Sequence, residues 1–160
     1  MSQGTITLIG IVVTLAVAVA NFIYSVTNNK KTRFINTVTT SRIKWIDSLR
    51  DKVSAYISVT IRLLNPEMVK READAISSLI RERDTLRQQI ILHLNPDDEK
   101  DNAIKTSVNQ VFTLSLRGVY TEEITKLMEH LRDATGDYLK KEWEKVKDEA
   151  EQGRLSKPKK

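Results

Sequence analysis

The run ITLIGIVVTLAVAVANFIYSV, from Ile6 to Val26, contains no Asp, Glu, Lys or Arg. Wound as a helix at about 1.5 Å per residue it covers roughly 30 Å, the thickness of a bilayer's hydrocarbon core. It therefore reads as a transmembrane helix. Asn28-Asn29-Lys30-Lys31-Thr32-Arg33 follows at once, whereas the residues before the run carry no Lys or Arg. The positive-inside rule then puts the N-terminus outside and the remaining chain in the cytoplasm. Ala18-Val19-Ala20 resembles a signal-peptidase site. The segment lacks a charged n-region, however, and stays apolar through Phe22, Ile23 and Tyr24, which favours an anchor over a cleaved leader.

Within this span, Thr7, Gly10, Thr14, Ala18, Asn21 and Ser25 recur at intervals of three and four residues, so all six fall near one helical face. Small residues let helices approach closely in lipid, and an Asn amide there needs a partner. The stripe is read as a membrane-helix association face. The alternative is that small residues are simply common in membrane helices.

The rest of the chain is bounded by its composition. With 160 residues and a domain line-up of 1–29 anchor, 30–152 cytoplasmic bundle and 153–160 disordered basic tail, there is room for one small domain. The absence of cysteine excludes disulfides, thiolate metal sites and cysteine nucleophiles. Five Gly and three Pro separate long periodic segments, which predicts an all-α chain: one transmembrane helix and a cytoplasmic antiparallel bundle of about four helices. Much of the net charge of +5 lies beside the span and in the tail. Lys30, Lys31, Arg33, Lys157, Lys159 and Lys160 are accordingly the expected contacts to lipid headgroups.

From Phe34 to Leu64 a heptad-like rhythm runs through Ile35, Val38, Ile46, Leu49, Val53, Tyr56 and Leu63, with Arg42 and Thr60 filling apolar slots. Ile35, Arg42, Leu49, Tyr56 and Leu63 stand whole heptads from Thr7, Thr14, Asn21 and Asn28. The membrane and cytoplasmic stripes are thus in phase if the helix continues through Asn28-Asn29 and supercoils left-handedly; a break at the two Asn would uncouple them. Asn65-Pro66-Glu67 ends this helix and caps the next, which spans Pro66 to Leu94 with Val69, Ala73, Ile76, Ile80, Leu86, Ile90 and Leu94 inward.

Asn95-Pro96-Asp97-Asp98-Glu99 repeats the punctuation before a third helix, whose inward residues are Ile104, Val108, Val111, Phe112 and Leu116 and whose stop is Gly118. Thr121-Glu122-Glu123 caps the fourth, with Ile124, Leu127, Leu131, Ala134, Tyr138, Val146 and Ala150 inward and Gly136 as a weak point. Short turns make successive helices reverse. Trp45 and Trp143 should then sit at similar height and, with Leu49 and Tyr56, pack the bundle.

No catalytic constellation is visible. His93 and His130 each stand alone in sequence, without metal-ligand spacing or a nucleophile motif. The acidic run Asp97, Asp98, Glu99 and Asp101 lacks the pattern of a calcium loop and suits a helix N-terminus. Arg42, Lys44, Arg50 and Lys52 are interleaved with Asp47 and Asp51 as on a solvated face, so nucleic acid is not an expected partner. No catalytic residue, metal ligand or cofactor is expected, and the chain does not read as an enzyme.

Arg42-Ile-Lys-Trp-Ile-Asp-Ser-Leu-Arg50, Leu92-His-Leu-Asn-Pro-Asp97 and Tyr138-Leu-Lys-Lys-Glu-Trp-Glu-Lys-Val-Lys147 together resemble a group of small bacterial and prophage membrane-anchored helical proteins. In these a span is followed by Trp-x-x-x-Leu-Arg. The resemblance implies a span-plus-bundle layout and no catalytic residue. The expected function is a self-associating membrane protein that senses a cytoplasmic protein partner and perturbs the membrane, as an anti-phage effector. The alternative is a passive membrane-anchored adaptor. Expected partners are membrane lipid, further copies of the chain and an unidentified cytoplasmic protein.

Overall fold

The computed structural model describes residues 3–65, 67 and 73–152. Among these there are four helices, α1 (Gln3–Leu64), α2 (Ala73–His93), α3 (Glu99–Ser115) and α4 (Glu122–Gln152), and no strand. α1 passes through Asn28-Asn29 without a break. Thr hydroxyls close back on its carbonyls rather than competing with it: Thr27 Oγ1 donates to Ile23 O and Thr37 Oγ1 to Arg33 O, each at 2.9 Å.

The chain groups into two compact units, residues 1–41 with 148–160, and residues 42–147. In the first, the side chains described between Leu8 and Asn29 are all exposed. Ile35 and Glu149 are its buried residues among those described.

The second unit contains the hydrophobic core. α1 contributes Ile46, Leu49, Val53 and Tyr56; α3 adds Ile104, Val108 and Val111, and α4 Ile124, Leu131 and Leu139. Contacts run in opposite sequence order along α1 and α2. Trp45 and Ser48 meet His93, whereas Val59 clusters with Leu79. Thr60 occupies an apolar slot because its hydroxyl donates to Tyr56 O at 2.7 Å, leaving only its methyl to be packed.

The helix boundaries refine the expected punctuation. Both Asn-Pro sites are Asx turns: Asn65 Oδ1 accepts from Glu67 N, and Asn95 Oδ1 from Asp97 N. The cap of α3 is Asp98, three residues later than the repeat of the punctuation implied. Its carboxylate accepts from Lys100 N at 2.8 Å and Asp101 N at 3.3 Å. Thr121 Oγ1 accepts from Ile124 N at the start of α4. Gly118 has φ +69°, the left-handed conformation that a chain leaving α3 adopts without penalty only at glycine.

The inward faces of α2 and α3 also shift. Ala73 and Ile80 are exposed, and Leu79, Arg83 and Ile90 are buried in α2. Leu116 is 61% exposed at the C-cap of α3. Ala150 is exposed near the end of α4. Val69 lies outside the described residues.

Candidate functional site

Of the proposed association face, Gly10, Thr14, Ala18, Asn21 and Ser25 are exposed on α1. A Cβ at Gly10 would meet nothing within 4 Å, so its surface is open to close approach. Thr14 Oγ1 donates to Gly10 O at 2.9 Å, which satisfies the hydroxyl within its own helix. The Asn21 amide carries two donors and an acceptor on the same face, the most polar group between Leu8 and Val26. Arg33 is exposed. The side chains of Thr7, Lys30 and Lys31, and the whole of Lys157, Lys159 and Lys160, lie outside the described residues.

This apolar segment is long enough to cross a membrane, and none of its most apolar 18-residue window is buried. A helix in the core of a water-soluble fold would have that window covered. Instead Leu15, Phe22 and Tyr24 are all more than half exposed. In water such a surface is costly, at about 25 cal/mol per Å² of apolar area.

In the second unit, three helices, α1, α2 and α4, meet at Trp45. Its Nε1 donates to His93 O at 2.9 Å, at the C-terminus of α2, where an orphan carbonyl needs a donor. Its ring meets Tyr138 of α4 edge-on, with centroids 6.0 Å apart. The three sequence stretches around Trp45, His93 and Tyr138 thus come together in space. His93 is not solitary. Its Nδ1 lies 2.8 Å from Gln89 O and must carry the proton, because a carbonyl only accepts. Nε2 is left to accept from Ser48 Oγ at 3.1 Å, and Ser48 in turn accepts from Lys52 Nζ at 2.7 Å. The pair has the contact of a nucleophile and its base, but each member is committed to tying α1 to the end of α2.

Asp101, only 2% exposed, completes this end of the bundle. Its Oδ2 accepts from Asn95 N at 2.6 Å. Its Oδ1 has no partner within hydrogen-bonding geometry, yet it is the carboxylate that faces the Tyr138 hydroxyl. Burial first, and that carboxylate second, hold Tyr138 far above the ordinary tyrosine value. The acidic run therefore serves as cap and loop tie, and no group of three or more His, Asp or Glu able to hold a metal occurs among the described residues.

Sequence reasoning missed a second buried polar cluster. Arg83 is 5% exposed; its Nη1 donates to Ser115 Oγ at 3.1 Å, and its Nε and Nη2 to Asp84 Oδ1. Arg87 donates through Nε and Nη2 to Asn109 Oδ1. Both guanidiniums lie over the Phe112 ring, at 4.8 and 4.2 Å from its centroid. Beneath them Tyr56 donates to Val108 O at 3.1 Å. Burial pushes its hydroxyl well above the ordinary value, partly opposed by the two arginines.

Of the expected packing residues, Leu49 and Tyr56 are fully buried and Trp45 is half-buried. Trp143 is 38% exposed, with Lys147 Nζ 5.9 Å from its ring centre. Trp45 meets Tyr138, five residues before Trp143, a rise of about 7 Å along α4. No protein-family model, curated protein or solved structure matches this chain.

Proposed function

We propose that this is a single-pass protein of a bacterial inner membrane, with its N-terminus outside, a bundle of alternating helices in the cytoplasm, and an activity that comes from self-association rather than from catalysis. One observation carries the reading: the apolar window of α1 is long enough for a bilayer and wholly uncovered. The opposite-order contacts of α1 and α2 support the alternating bundle. Gly10, Thr14, Ala18 and Asn21 offer the face on which copies would meet. Spans assembled in this way perturb a membrane, which suits an anti-phage effector driven by a cytoplasmic signal.

The protein has no cysteine, so single cysteines report topology against a blank background. Ser2→Cys should react with a membrane-impermeant maleimide in intact spheroplasts, and Ser58→Cys only after lysis. Labelling of both before lysis, or release of the protein by alkaline carbonate, would overturn the anchor and its orientation. Assembly is tested by Gly10→Leu with Asn21→Leu in nanodiscs, where native mass spectrometry should show fewer subunits. An unchanged mass, together with activity that survives replacement of the whole span, would leave the passive adaptor.

A further inference from the structure

Between α1 and α4, inside the second unit, two cavities of about 440 and 220 Å³ share Ile57 and Arg132 and so form one groove. Val53, Ile57 and Leu139 supply apolar lining. Three partly exposed residues, Trp143, Ile61 and Tyr120, mark the groove's length. The α4 segment from Thr125 to Trp143 rises about 27 Å, the length of a helix of roughly 18 residues.

The residues lining this groove carry more positive than negative charge. Among the described residues, Arg50, Arg132 and Lys140 line the larger cavity with no carboxylate, and Glu129 lines the smaller. Arg50 and Arg132 are held by Asp47 and Asp133 at 2.8 and 2.9 Å, but every member of these pairs is more than half exposed. Pairs this exposed are weak and yield to a better-placed carboxylate.

From this geometry we infer that the α1–α4 groove is a docking site for an amphipathic helix of a partner protein, with apolar anchors at i, i+3, i+4 and i+7 flanked by acidic residues. The apolar lining takes the anchors, and Arg50, Arg132 and Lys140 take the flanking carboxylates. A second copy presenting the same face would set these cations against themselves. Charge therefore argues against symmetric self-pairing here.

The test uses the full chain in phosphatidylcholine nanodiscs and a fluorescein-labelled 18-residue peptide with Leu and Phe anchors and Glu flanks, read by anisotropy. Peptides with Lys for Glu, and with the Glu peptide's composition scrambled, should bind at least about tenfold more weakly. Arg50→Glu with Lys140→Glu, both at exposed positions, should invert the preference towards the Lys peptide. Equal binding of the scrambled peptide, or a preference that survives the double reversal, overturns the proposal. So does a change of subunit number in the reversed variant, which would identify a second copy as the occupant. Preferential capture of anionic phosphatidylglycerol nanodiscs through Arg50 and Lys140, without peptide binding, would assign the groove to lipid instead. The peptide readout does not depend on whether α1 crosses the membrane, so its failure and the failure of the anchor are distinguishable.

Discussion

Two stretches of α1 have the same backbone and opposite surroundings. From Leu8 to Val26 the helix is apolar on nearly every side and its side chains are exposed. From Ile46 to Leu64 the apolar residues, Ile61 aside, keep to one stripe, and that stripe is buried against α2, α3 and α4. Helix formation does not distinguish them. What differs is how far round the circumference the apolar residues reach: a one-sided stripe asks for a protein partner, and an all-round one asks for an apolar solvent. Neither condition can be exchanged for the other by a small change of sequence.

The largest expected effect tests the all-round stretch. Val12→Arg with Val17→Arg puts two charges into the proposed span, at about 2.5–3.5 kcal/mol each near a bilayer's centre. The protein should leave the membrane fraction while its bundle keeps its circular dichroism. Leu49→Ala tests the other stretch: removing a fully buried side chain should cost about 2–5 kcal/mol in urea unfolding. Val17→Ala in the exposed stretch should leave that unfolding curve in place. If Val17→Ala cost as much, the exposed segment would be part of the fold's core.

The comparison is sharpened by alkali. Tyr56 and Tyr138 have hydroxyls raised above the ordinary 10.0. A raised acid group adds stability that is fully present below the unfolded value and is lost as pH climbs from there towards the folded one. Unfolding free energy should therefore be level below about pH 9.5 and fall by one increment per tyrosine as pH rises towards 11. Tyr56→Phe and Tyr138→Phe should each remove one such increment. The smallest effect is Gly136→Ala. A Cβ there meets nothing within 4 Å, so the bundle should gain about 0.5–1 kcal/mol.

Much of this architecture was legible in the sequence. Residue types announce the stripe of α1, the Thr121 cap and the Gly118 stop directly; in α4 the buried face falls on Met128, Thr135 and Leu139, one position beyond the expected Leu127, Ala134 and Tyr138. The inward face of α2 is not legible in this way, because Ile80 competes with its neighbour Leu79 and Arg83 interrupts the apolar run. Leu79, Arg83, Leu86 and Ile90 recur at the same three- and four-residue intervals, with a guanidinium in an apolar slot. The matching clue lay in α3, where Asp101, Ile104, Val108, Val111 and Ser115 follow that rhythm. Ser115 is the hydroxyl that Arg83 binds, so two polar residues in facing stripes signal each other. Periodicity alone scores them as interruptions. The Trp45–His93–Tyr138 junction was half legible: its three stretches stood out, but chain separation hid that they meet.

The two tryptophans give the molecule an internal pair of lamps. Trp45, with its indole N–H on a carbonyl and its ring against Tyr138, should emit to the blue; Trp143, at the groove's edge beneath Lys147, should emit to the red. Trp143→Phe leaves a signal that dims or shifts only when the helix ends come apart. Trp45→Phe leaves one that answers to whatever enters the groove. A single chain thus separates loss of folding from gain of a ligand by colour, without any attached dye.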